Sequence, residues 1–158
     1  MKIAARLLSL LILTSVITLY VGCSKDDPAP KSEKDTQIGL LNGTWNATAV
    51  SFQDMPITSG YENFQLVIEG TEGQNSLQYT VTGRPEASAW EANGTFAFDT
   101  DANVKEVLIR DPNSATSVTI TYGVTETTLQ MDFTYDGEPI SRTKNVSGAW
   151  KFTFEKAD

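Results

Sequence analysis

The chain is 158 residues long, carries 20 acidic against 12 basic side chains for a formal net charge of −8, and contains one cysteine and no histidine. That length fits one domain, and an acidic balance excludes a nucleic-acid partner, which needs clustered Lys and Arg. Without histidine the commonest metal ligand and general base are missing, so no metal, no cofactor and no enzymatic activity are expected.

The amino end is read first. Met1–Arg6 carries Lys2 and Arg6 and no acid, and Leu7–Val21 follows without a charge. That run has the length of a signal h-region and is short for a membrane span. The small Gly22 precedes Cys23, as signal cleavage requires. Residues 1–22 are therefore expected to be a signal peptide; an ordinary signal cut nearby and an uncleaved anchor are the alternatives. Asp26–Gln37 is rich in Pro, Lys and acids with no apolar period, so residues 23–37 are expected to form a flexible tether.

From Ile38 onward the apolar residues recur at period two, and residues 38–158 are read as one all-β domain. Eight strands are predicted. Thr44–Phe52 keeps Trp45, Ala47 and Ala49 on one face and then shifts phase, which predicts a bulge. Phe64–Glu69 turns Phe64, Leu66 and Ile68 inward, and Leu77–Thr82 does so with Leu77, Tyr79 and Val81. Thr95–Phe98 brings Phe96 and Phe98, whereas the Val-Leu-Ile run of Val104–Arg110 leaves its facing open. Ser117–Tyr122 directs Val118, Ile120 and Tyr122 inward, Thr128–Tyr135 adds Leu129, Met131, Phe133 and Tyr135, and Ala149–Glu155 adds Trp150, Phe152 and Phe154. Little helix is expected, because no window of ten or more residues after the tether repeats cleanly at 3.6.

Eight such strands make an eight-stranded antiparallel up-and-down barrel or, as the alternative, a two-sheet β-sandwich. Loop lengths favour the barrel. Gln53–Asn63, Gly83–Asn93, Asp111–Thr116 and Asp136–Gly148 would gather at a mouth, while Gly70–Ser76, Asp99–Asn103 and Gly123–Thr127 would close a base. The tether would then join at the base.

Two resemblances add to this reading. Leu19–Cys23 resembles the bacterial lipoprotein signal, with Tyr20 where Leu is usual. That resemblance implies a diacylglyceryl group on Cys23, acyl chains such as palmitate as the membrane attachment, and cleavage that leaves Cys23 first. Losing Lys2 and Arg6 with residues 1–22 takes the net charge from −8 to −10. Attachment would therefore rest on the acyl chains rather than on charge, and two or more such chains anchor stably. Ser24-Lys25-Asp26-Asp27 resembles an acidic export signal of Gram-negative lipoproteins, which implies the outer membrane and exposure at the cell surface, a periplasm-facing position being the alternative. Gly43-Thr44-Trp45 is similar to the Gly-x-Trp opening of lipocalins, and Ser147–Phe154 to the last strand of lipocalin-like domains in bacterial surface lipoproteins. This implies an eight-stranded antiparallel barrel, in such domains often of unknown ligand. Lipocalins also place a C-terminal helix and an Arg over the first-strand Trp; neither has a counterpart after the last predicted strand.

Candidate binding residues lie in the predicted mouth loops. Trp90 in Gly83–Asn93 and Tyr61 in Gln53–Asn63 are aromatic residues that could stack on a sugar or cap an apolar ligand, or simply pack on the rim. Arg84 could meet an anionic ligand or lie in solvent. Asp99-Thr100-Asp101-Ala102-Asn103 opens like a calcium loop, but Val104 stands where Gly is needed and Arg110 where the bidentate Glu belongs, so a turn is expected. The inward rings either fill the lumen or leave a small apolar cavity. The expected function is a non-catalytic, lipid-anchored lipoprotein that binds a small hydrophobic molecule; a β-sandwich carbohydrate-binding or adhesion module is the alternative.

Overall fold

The structure is a computed structural model that describes residues 30–57, 59–137 and 146–158. Cys23, the expected signal peptide and the tether as far as residue 29 lie outside the described residues. Residues from Lys31 to Asp158 form one compact unit.

Its elements in chain order are a helix α1 (Glu33–Leu41) and nine strands. The first five are β1 (Gly43–Phe52), β2 (Met55–Pro56), β3 (Gln65–Gly70), β4 (Ser76–Thr82) and β5 (Asn93–Phe98). After a 3-10 turn at Asp101–Asn103 come β6 (Val107–Arg110), β7 (Val118–Val124), β8 (Thr128–Tyr135) and β9 (Gly148–Lys156). Every neighbouring pair is antiparallel, and β1 pairs with β9 from Trp45↔Lys156 to Phe52↔Trp150. That pairing closes an eight-stranded up-and-down barrel and overturns the sandwich alternative. The two-residue β2 stands outside the ring as a hairpin on β1, with Ser51↔Pro56 and Phe52↔Met55 in register.

Period-two burial explains the ring. On β4, Leu77, Tyr79 and Val81 are buried and the residues between them exposed; β7, β8 and β9 repeat the pattern. Apolar inside and polar outside is the reverse of a membrane-spanning barrel. On β1 the register against β9 shifts between Ala47 and Ala49. The buried face passes from Trp45 to Val50 across this bulge, so a phase shift occurs as predicted but earlier, leaving Ala49 exposed instead of on the Trp45 face. β6 settles the open question of the Val-Leu-Ile run, with Leu108 and Arg110 buried and Val107 and Ile109 half-buried. Val104 stays outside that strand; it is buried at the base, and its carbonyl accepts the Tyr122 hydroxyl.

The helix is the main departure from the sequence reading. Residues 33–37 were expected to belong to the flexible tether, yet they are helical and Gln37 is buried. Ser32 caps the helix, its Oγ accepting from the Asp35 amide at 3.0 Å, and Glu33 and Asp35 complement the positive end of the helix dipole. Ile38 and Leu41, three positions apart, are fully buried in the barrel base. The Trp45 indole donates to Leu41 O at 2.8 Å, and Asn42 exchanges two hydrogen bonds with the Gly70 backbone at 2.6 and 2.9 Å. Three ion pairs ring the helix: Lys31 with Glu72, Lys34 with Asp101 at 3.3 Å, and Lys105 with Glu33 at 2.6 Å. α1 is therefore the plug of the base.

The chain's far end completes that base. Lys156 Nζ lies 5.0 Å over the Trp45 ring and donates to Leu40 O at 3.2 Å. A lysine thus covers the first-strand Trp.

Candidate functional site

The opposite end, where the longer connections meet, holds the residues of interest. Its central feature is the connection 83–92, which folds into the barrel rather than over it. Trp90 is only 1% exposed. Its indole meets Tyr79, Phe133 and Phe152 edge-on at 5.6–5.7 Å, with Phe64 and Phe96 at 6.0 and 6.2 Å. Behind it Phe152 stacks on Phe133, Trp150 and Phe154 at 5.8–5.9 Å. The lumen is occupied by rings. Of the two possibilities left open by sequence, the filled interior is the one found.

Trp90 therefore presents no stacking face to solvent, and of its two readings the packed ring is the one found, sunk inside the barrel rather than laid on the rim. The reason is apolar area: a fused ring in water next to a lumen short of one large side chain moves inside. Tyr61 behaves likewise. It is buried against Phe64, Trp150 and Phe152 at 5.6–5.9 Å. Burial pushes its phenol pKa up. Arg84 remains exposed, but its Nη1 donates to Trp90 O at 3.1 Å. It staples the start of the connection to its end. Gly83 permits the turn: at φ +64°, a Cβ there would overlap the Asn63 carbonyl.

A residue not singled out from sequence sits beneath Trp90. Arg110 is 1% exposed, and its guanidinium carbon lies 5.0 Å from the Trp90 ring, 5.4 Å from Phe133 and 5.7 Å from Tyr135. Burial lowers its pKa, opposed by Tyr79, Asp111, Tyr135 and Glu91. The nearest carboxylate is Asp111, 3.7 Å from Nε. Asp111 is held elsewhere: its Oδ2 accepts the Tyr79 hydroxyl and its Oδ1 the Thr95 amide, both at 2.8 Å. Its backbone sits in the left-handed region at φ 50°, a conformation Asp tolerates better than most residues. Gly94 leaves room for this arrangement, since a Cβ there would strike both Asp111 and Tyr79. Among the described residues, the inward buried polar atoms without a partner are Tyr61 Oη, Trp90 Nε1, and Arg110 Nε and Nη1. All lie toward the mouth, and all can donate.

Other candidates resolve into structure. In 99–103, Asn103 Nδ2 donates to Asp99 Oδ2 at 3.1 Å and Asp101 pairs with Lys34, so these groups build the turn. A cleft of about 260 Å³ opens on the outside where β1 leaves β3, lined by Ala47, Ala49, Val50, Ile57 and Tyr61 among others. It carries no cluster of titratable groups.

Fold and site together define a closed, ring-filled antiparallel barrel with one helical plug and one loop plug. No protein-family model matches the chain, and a search of curated proteins found no match.

Proposed function

We propose that the chain is a non-catalytic lipoprotein of the outer membrane, held by acyl chains on Cys23, whose barrel takes up a small apolar molecule at its mouth when Trp90 withdraws. The observation that supports this reading is the origin of the indole. The strands enclose a ring-lined space that their own side chains do not fill, and a residue on a connection between strands fills it. A side chain borne on a loop can leave without breaking a strand ladder, whereas Phe152 or Phe133 cannot. Two features favour the lipoprotein part: the signal-like run that ends at Cys23, and the polar barrel exterior, which leaves attachment to the amino end. The chain enters the barrel unit at the helix-plugged base, so attachment at Cys23 would leave the mouth free to face outward.

The test uses a soluble chain from residue 23 carrying Cys23→Ser, with Trp45→Phe and Trp150→Phe so that Trp90 alone reports. Titration with the neutral probe N-phenyl-1-naphthylamine is expected to give saturable binding and a red shift of Trp90 emission as the indole enters water. Absence of binding, or binding with unchanged emission, rejects uptake at the mouth. Mass spectrometry of the native protein tests the anchor: an unacylated residue 23 rejects it. The glycan-module alternative is not favoured, since Trp90 and Tyr61 are both buried.

A further inference from the structure

The occupant of the mouth has a chemical signature beyond being apolar. Arg110 is a cation buried by three rings, and two of its nitrogens, Nε and Nη1, lack an acceptor. A buried donor left unmade is costly, more so on a charged group. Nearly all buried polar groups in folded proteins find a partner, so two open positions on one fully enclosed guanidinium call for an explanation. Asp111 does not supply it. Its closest oxygen stands 3.7 Å from Nε, outside hydrogen-bond range, and both of its oxygens already accept bonds from Tyr79 and Thr95. The open nitrogens of Arg110 and Trp90 can only donate, so the missing partner is an acceptor.

We infer that the mouth receives an apolar molecule bearing a carboxylate, with the carboxylate on Arg110 and the apolar body in the space the Trp90 indole vacates. This rests on the uptake reading above. The walls suit such a body: Tyr79, Phe133 and Phe152 present their rings edge-on to that slot. A carboxylate is favoured over a neutral oxygen because a charge-assisted hydrogen bond is about twice as strong as a neutral one. Two acids at the rim oppose it. Asp111 is partly exposed, with its charge spread over two hydrogen bonds, and Glu91 is exposed. They limit the preference to about tenfold rather than the hundredfold that a buried charge-assisted bond can reach.

The experiment compares octanoate with octan-1-ol, which share a chain and differ in the head group, by calorimetric titration of the soluble Cys23→Ser chain at pH 7. Octanoate is expected to bind about tenfold more tightly. In Arg110→Met, which keeps an apolar stem against Trp90, the two should come within about twofold because octanoate loses more affinity than octanol, while Arg110→Lys should keep part of the preference. Equal binding by the unsubstituted Arg110 chain overturns the carboxylate assignment and leaves uptake standing. Failure of both probes to bind overturns uptake and the assignment together. A preference that persists in Arg110→Met removes Arg110 from the role. The wild-type pair decides the matter even if Arg110→Met fails to fold.

Discussion

Trp90 is the residue on which the mouth end turns. Trp90→Ala would leave a hole among Phe64, Tyr79, Phe96, Phe133 and Phe152 and uncover the guanidinium of Arg110. The expected loss is about 3–5 kcal/mol by urea unfolding. A smaller loss would mean that the connection collapses into the space, which would itself favour a mobile plug. The buried phenols give a second residue-scale expectation. Burial raises the pKa of Tyr61, Tyr79 and Tyr122 above the ordinary phenol value of 10.0, and for Tyr79 the hydrogen bond to Asp111 adds to it. A raised folded-state value contributes stability that is fully present below the unfolded pKa and is lost as pH rises through the folded one. Urea midpoints should therefore hold steady to about pH 10 and fall above it, and in a Tyr135→Phe background phenolate absorbance should appear only as the chain unfolds. Phenolate signal near pH 10 in that folded variant would contradict the burial of the other three. Of these residues, Trp90 and Tyr61 were legible in sequence as large rings in loops, but whether a loop ring lies out or in depends on volume left inside the ring of strands. Arg110 was not legible. It ends an apolar run and precedes Asp-Pro, which reads as a turn, and only the alternation Leu108, Arg110 against Val107, Ile109 hints that it faces the lumen.

At the scale of elements, α1 shows what periodicity misses. Nine residues with two apolar anchors at Ile38 and Leu41 make too short a stripe to read as a helix. The local signal was capping: Ser32-Glu33-Lys34-Asp35 fits the Ser-x-x-acid start of a helix ahead of apolar residues. Ser32→Ala should lower stability by about 1 kcal/mol, and Leu41→Ala by about 2–5 kcal/mol, both measured by thermal or urea unfolding of the soluble chain. If Leu41→Ala costs nothing, α1 is an ornament on the barrel rather than its plug. The strands were far easier to read. Most alternate polar and apolar residues, the Val107-Leu108-Ile109 run of β6 excepted, and a bulge in β1 is visible as a change of phase. β2 was missed because two residues carry no period.

For the whole molecule, closure depends on the two ends of the sequence. β1 finds β9 only when the last strand exists, and the Trp45↔Lys156 and Phe52↔Trp150 pairs are among the most distant in the chain. Such long-range pairing makes folding slow, milliseconds to seconds for barrels of this kind. A chain lacking residues 148–158 is expected to show no cooperative thermal transition by circular dichroism. A sharp transition in that truncated form would mean that seven strands suffice. The order of strands was legible from loop lengths, long at one end and short at the other. The filled lumen was not, since alternation tells which face is inward and says nothing of the space remaining there.

The clasp at the base has a practical corollary. Lys156 reaches Leu40 O and Trp45, and the Ala157 amide donates to Thr44 O at 2.8 Å, so residues 156 and 157 lie beside the very helix through which the polypeptide enters the barrel. A fluorescent reporter or affinity tag spliced on after Asp158 would crowd that seam and load α1, whereas an epitope grafted into residues 111–117 would ride at the opposite pole. Antibody access to the two insertions on intact cells would then read out which pole the cell displays.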